Sequence, residues 1–154
     1  MTDPTMKKTA GDGVELALAM WEGKGETVLC VHGISGNCRC WDHVAEALAP
    51  QYDVLAMDLR GRGLSEKPAS GYSVSYHCRD IHALLNHENI DQVVILGHSL
   101  GALIGLEFTA KFPEAVERLI LVDGGGQLSA EQRKKVFAGI QPTLDRLGKI
   151  IPFQ

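Results

Sequence analysis

The stretch Asp91–Gly105, DQVVILGHSLGALIG, constrains this chain more than any other. Val93 to Leu96 is a short apolar run rich in β-branched residues, with polar residues before it and Gly97 after it. That pattern predicts a buried strand. Helical spacing starts at once beyond it, with Leu100, Leu103, Ile104 and Phe108. Only Gly97-His98-Ser99-Leu100-Gly101 is left to turn the chain. A turn this tight forces its central residue into a strained conformation, and small flanking glycines remove the clashes that would follow. The Ser99 hydroxyl is thereby lifted above the strand end, at a helix N-terminus whose backbone N–H groups favour an anion. Strand, G-x-S-x-G and helix in this order make a nucleophile elbow.

The 154 residues give room for one domain with a real core. A net charge of −4 supplies no electrostatic footprint for nucleic acid or an anionic membrane, so neither is expected as a partner. Apolar runs reach only a handful of residues, too few to span a bilayer. The start, MTDPTMKKTAGDG, has no apolar signal core, and a cytoplasmic location is expected. Cys30 lies in an apolar run and reads as a small core residue. Cys38 and Cys40 form a C-x-C that matches no common zinc spacing, and Cys78 with His82 offers only two ligands. No metal or cofactor is therefore expected. His77, His82 and His87 recur every five residues, which steps them about 140° around a helix each time. They read as a solvated helix face.

Along the chain, Lys7–Ala10 and Val14–Trp21 read as strands joined by Gly11-Asp12-Gly13, a hairpin signal. In the second, Val14, Leu16 and Leu18 alternate with Glu15, Ala17 and Ala19, as in a half-buried strand. Thr27–Val31 is a continuous apolar strand, which suggests burial on both faces. Trp41, Val44, Ala45 and Leu48 space out an amphipathic helix that stops at Pro50. Tyr52–Met57 is the next strand. Ser73 caps a helix with Val74, Cys78, Ile81, Leu84 and Leu85 on one stripe. After the Ser99 unit, Arg118–Val122 is another apolar strand. Ser129 to Leu147 reads as one or two helices broken near Gly139 to Pro142, with Val136, Phe137, Ile140, Leu144 and Leu147 as their apolar side. Strands alternating with helices predict an α/β fold, a mostly parallel sheet with helices on both faces, built from right-handed crossovers.

Two loops follow buried strands, where open α/β sheets place their ligands. In His32-Gly33-Ile34-Ser35-Gly36-Asn37, the histidine is expected to shape the loop through backbone hydrogen bonds rather than act as a base. The useful group there is the backbone N–H of Ile34, held close to Ser99 if the two strands are neighbours. Asp58-Leu59-Arg60-Gly61-Arg62-Gly63-Leu64-Ser65 carries two arginines among glycines but lacks the third glycine and the following helix of a dinucleotide fingerprint. It reads as a structural loop, and no Walker-type phosphate loop occurs.

Taken together, HGISGNCRCW, DLRGRGLS, GHSLG and LILVDG resemble, in order and spacing, the α/β-hydrolase superfamily over roughly residues 7–126. Together they look like its large single-domain branch of esterases, lactonases, C–C hydrolases and cofactor-free haloperoxidases. The resemblance implies Ser99 as nucleophile and the backbone N–H groups of Ile34 and Leu100 as the oxyanion hole. Dehalogenase and epoxide-hydrolase branches place an aspartate at the nucleophile position, which disfavours them. The implied reaction is acyl transfer to water, on a small ester, lactone or related carbonyl compound, through an acyl-enzyme. An acyltransferase or a cofactor-free haloperoxidase would use the same serine, and a non-catalytic binding module is the rival from another class.

One part of the family pattern is missing. The family order is serine, acid, histidine, yet all six histidines precede Ser99. Asp123 is a candidate acid, and some members carry theirs at this strand end. Two further strand–helix units cannot fit after Asp123, since one crossover alone takes about 30 residues. Residues 1–126 are accordingly expected to be the N-terminal part of a hydrolase core, and 127–154 the start of a helical cap. Without a base Ser99 is a weak nucleophile, so this chain alone is expected to be a poor hydrolase. An exposed apolar strand at the sheet edge predicts self-association.

Overall fold

A computed structural model describes residues 3–124 and scattered positions from 126 to 142. Its elements are β1 (Thr5–Ala10), β2 (Glu15–Trp21), β3 (Thr27–Val31), α1 (Asp42–Leu48), β4 (Asp53–Met57), α2 (Val74–Glu88), β5 (Val93–His98), α3 (Leu100–Lys111) and β6 (Val116–Val122). They form one sheet in the order β1-β2-β4-β3-β5-β6. The β1–β2 and β2–β4 pairs are antiparallel; the β4–β3, β3–β5 and β5–β6 pairs are parallel. The hairpin signal holds: the Gly11 N–H donates to the Val14 oxygen at 2.8 Å, and Gly13 takes φ 70°. The expected cap helices fall largely outside the described residues.

Alternation along the strands divides the core in two. Leu29, Val31, Leu55, Met57 and Ile95 point to the side covered by α2 and α3, where Ile81, Leu84, Ile104 and Phe108 meet them. Val28, Cys30, Val54, Ala56, Val94 and Leu96 point the other way, onto Trp41 and Ala45 of the α1 region. Helices therefore lie on both faces, and the inner strands are buried on both sides, as parallel strands between helical layers must be.

Four local expectations are corrected. The β2 strand is not half-buried: Ala17 and Ala19 are as buried as Leu16 and Leu18. The loop after β4 folds back over Ala17, whose N–H donates to Ser65 Oγ and whose carbonyl accepts the Asp58 N–H, both at 2.9 Å. Val44 is exposed, because residues Cys38–Trp41 form a separate 3-10 turn whose tighter pitch shifts the phase of the stripe. Ser73 stands at the N-cap of α2, but its hydroxyl makes no capping bond. His77 is not solvated: it is buried in the first turns of α2. His77, Asp80, Ile81 and Leu84 form one inward stripe at i, i+3, i+4 and i+7.

That stripe carries a buried ion pair. Arg60 Nε and Nη2 each reach an Asp80 carboxylate oxygen at 2.6 Å, in a two-pronged bond. Arg60 also donates to the carbonyls of Gly71 and Asp12, both at 3.0 Å, and Asp80 Oδ1 accepts the Asp12 N–H at 2.9 Å. The hairpin turn, the loop after β4 and α2 are thus joined at one point. Removing one partner leaves the other charge buried and alone. Asp80→Ala should cost about 3–5 kcal/mol in urea unfolding, and the double change Arg60→Met with Asp80→Leu should restore most of it.

Burial also pushes the His77 imidazole down from its ordinary value of 6.5 to about 4. Its Nδ1 has no partner among the described residues. The unfolded chain takes up this proton below about pH 6.5, whereas the folded chain resists it until about pH 4. Stability is therefore lost as pH falls through that window. His77→Leu should flatten that part of the stability–pH curve, measured by denaturant midpoints at pH 7, 5.5 and 4.5.

Candidate active site

Ser99 sits where the sequence places it, between the end of β5 and the start of α3, at φ 52° and ψ −111°. A non-glycine residue there carries strain of about 1–3 kcal/mol, which the surroundings must hold. Those surroundings are glycines and a central strand. A Cβ at Gly97 would meet the Gly101 oxygen at 2.4 Å, and one at Gly101 would meet the Val31 oxygen at 2.0 Å. The elbow therefore exists only because α3 rides directly on the end of β3. The Ser99 N–H donates to the Val122 oxygen at 3.0 Å, and its carbonyl accepts Ala102 and Leu103.

Parallel pairing of β3 with β5, Val31 opposite Gly97, brings the loop after β3 to the elbow. A Cβ at Gly33 would lie 3.3 Å from Ser99 Cβ, so Ile34, the next residue, stands beside the serine. Among the described residues no backbone carbonyl takes the Ile34 N–H. The Leu100 N–H heads the first turn of α3 and has no acceptor inside the helix. Ser99 thus has Ile34 beside it and stands with Leu100 at the positive end of a helix dipole. Such a cluster suits an oxygen that gains negative charge.

His32 is buried and engaged with the backbone, as the sequence reading expected. The Leu59 N–H donates to Nε2 at 3.1 Å, which leaves the proton on Nδ1 for the Gly33 oxygen at 2.6 Å. Burial lowers its pKa, against weaker opposing effects of the Gly33 bond and Asp58. His98 follows Gly97 on β5, and its ring lies against Gly33. No histidine hydrogen-bonds the Ser99 side chain among the described residues. Asp123 follows β6 at φ 48°, one strand over from Ser99, and Gly124 packs on the Ser99 backbone.

The sequence reading missed how the loop after β4 serves this region. Asp58 accepts the Cys38 N–H at 2.6 Å and the Leu64 N–H at 2.7 Å. Arg62 Nε donates to the Ile34 oxygen at 2.7 Å. The available signal was a charged residue straight after a buried strand, Asp58, followed by glycines. Gly61 and Gly63 take φ 76° and 49°. Among the described residues no group of three or more His, Cys, Asp or Glu side chains is placed to hold a metal. No described helix is long and apolar enough to cross a membrane.

Comparison with known proteins agrees with this geometry. A family model described as alpha/beta hydrolase fold matches residues 26–146. The chain belongs to the alpha/beta hydrolase family. An uncharacterised protein of Mycobacterium tuberculosis is 39% identical over 123 residues, which cover 80% of this chain and 36% of that one. A soluble epoxide hydrolase of Corynebacterium sp. strain C12 is 36% identical over 101 residues, 66% of this chain and 35% of its own. The crystal structure of an N-formylmaleamic acid deformylase from Pseudomonas putida S16 superposes with TM-score 0.73 at 35% identity, covering 78% of this chain and 47% of that one. The chain spans less than half the length of each of these relatives. Other relatives are named a 2-(acetamidomethylene)succinate hydrolase, an N-formylmaleamate deformylase and a putative carbamate hydrolase.

Proposed function

We propose that this protein is a serine hydrolase that cleaves a small ester, lactone or related carbonyl compound through an acyl-enzyme on Ser99. The observation that carries the reading is the strained serine at the end of β5 and the head of α3, with the loop after β3 packed against it at Gly33. Ser99 Oγ attacks the carbonyl carbon as its proton passes to a base. The carbonyl oxygen takes up the electron pair and leans on the Ile34 and Leu100 N–H groups. Collapse expels the leaving group, and water releases the acid and regenerates the serine. Asp123 is the acid in this reading, supported by its place at the end of β6 beside the elbow strand.

Serine at the elbow favours this chemistry over that of the epoxide-hydrolase relative. The deformylase among the solved structures is in keeping with attack on a carbonyl carbon. A cytoplasmic setting belongs to the same reading, supported by four cysteines that all stand as free thiols. One observation favours a binding role without turnover: no histidine is bonded to Ser99 among the described residues.

A fluorophosphonate probe separates the two. Covalent labelling that disappears in Ser99→Ala supports the hydrolase; labelling that survives in Ser99→Ala refutes Ser99 as nucleophile. Where base and acid are both in place, the same substitution should lower ester turnover by on the order of 10⁶. The 154-residue chain alone should stay within about 10³–10⁴ of the uncatalysed rate, the level an oxyanion site and binding supply by themselves.

Self-association belongs to the proposal as well. In β6, Ile120, Leu121 and Val122 are 47%, 41% and 39% exposed on an edge strand, and such edges pair with other chains. Light scattering of the 154-residue chain should show a mass that rises with concentration. A monodisperse monomer at all concentrations would count against it.

A further inference from the structure

The Ile34 N–H can stabilise an oxyanion only if its direction is held. Two peptide planes meet at Ile34, and each is planar, with its N–H opposite its C=O. The first plane, Gly33–Ile34, carries the donor. Its oxygen accepts the Gly36 N–H at 3.0 Å and the His32 Nδ1 proton at 2.6 Å. Both donors lie within residues 32–36, so these bonds set the direction of the N–H relative to its own loop. The second plane, Ile34–Ser35, is not tied by the loop's own turn. Its oxygen is reached from another loop, by Arg62 Nε at 2.7 Å.

Arg62 is itself well anchored. Its Nη1 donates to the Gly61 oxygen at 3.1 Å, and the side chain is half-buried. The backbone around it is pinned: the Arg62 N–H donates to the Leu59 oxygen at 2.8 Å, and its carbonyl accepts the Ser65 N–H at 3.0 Å. Asp58 ties both loops together through Cys38 and Leu64. A cationic donor to a carbonyl forms a stronger bond than a neutral one. The guanidinium therefore supplies the second fixed point on Ile34 from a rigid base.

We propose that Arg62 is a positioning residue of the oxyanion site: by holding the Ile34 carbonyl from the neighbouring loop it fixes the placement of the loop after β3, and with it the Ile34 N–H, beside Ser99. It touches no reacting atom and acts through Ile34. This inference rests on the serine-hydrolase reading for its consequence in catalysis, while the Ile34 clamp can be measured without any turnover.

The test uses Arg62→Gln and Arg62→Lys. Nitrogen-15 relaxation of the 154-residue chain should show the Ile34 amide order parameter falling from about 0.85 to below about 0.6 in Arg62→Gln. The β5 amides should stay unchanged. In Arg62→Lys, which keeps the charge but loses the planar fork, the value should lie between. Unchanged Ile34 order in both variants overturns the proposal. If Arg62→Gln does not fold, the lysine variant decides by the same reading.

Kinetics supplies the second readout, on the protein with measurable esterase activity. Arg62→Gln should lower kcat about 10- to 100-fold with KM within about twofold, less than the 10²–10³ of deleting an oxyanion donor, and Arg62→Lys should recover part of it. A merely structural role would lower the melting temperature without that split. Unchanged kcat in Arg62→Gln, with Ser99→Ala inactive, overturns the role of Arg62 alone. Turnover that survives Ser99→Ala overturns the serine-hydrolase reading, and the Ile34 relaxation then still decides whether the clamp exists.

Discussion

Everything near Ser99 depends on how closely α3 approaches β3. Gly101 rests on the Val31 carbonyl with no room for a methyl group, and Gly97 faces Gly101 in the same way. Because that distance is so short, the chain must leave β5 and enter α3 within a single strained residue. The strain at Ser99 is thus a consequence of packing between a central strand and a helix. The strain persists because β5 is paired on both sides, to β3 and β6, and because Ile104 and Phe108 of α3 are fully buried in the core. A looser core would let the helix recede, and the hydroxyl would lose its place above the strand end.

The second requirement is of a different kind. The oxyanion donor proposed on the loop after β3 has no strand to hold it, and the loop's own turn bonds orient it only relative to itself. Its ties to the rest of the fold come from the loop after β4. Asp58 takes two N–H groups, His32 bridges Leu59 to Gly33, and Arg62 reaches Ile34. That second loop is held in turn by the Arg60–Asp80 pair, which is buried between α2 and the first hairpin. A buried ion pair of this sort is weak evidence for stability in itself, since desolvation offsets much of the attraction. Its geometric effect is plainer: it holds three separate segments of chain in one register.

Much of this was legible in the sequence, and the division follows the range of the interactions. Strands β3 to β6 and helices α2 and α3 announce themselves through local periodicity, and so does the elbow, whose glycines sit within two residues of Ser99. Contacts across the fold left no such trace. Ala17 and Ala19 alternate with larger residues as if they faced water, yet the loop after β4 bonds over Ala17 and Ala19 lies in the core with Trp41. His77 looked like one of three regularly spaced surface histidines. Its burial shows only when Asp80, three residues on, is known to meet Arg60. The family resemblance suggested the roles proposed for Ile34 and Leu100, whereas the bond from Arg62 to the Ile34 oxygen shows only in the fold.

The contrast between the two donors follows from their backbones. Leu100 belongs to a helix, so the regular bonds of α3 set the direction of its N–H and adjust with the helix as a body. Ile34 belongs to a loop, so its N–H is only as well aimed as the groups that grip its neighbouring carbonyls. Changes in the core should therefore move Ser99 and Leu100 together, preserving their mutual geometry. Changes in the loop after β4 should move Ile34 against both of them. On the proposed reading, an oxyanion site built this way is tuned from the loop after β4, a segment about forty residues before the serine in sequence and separate from both donors.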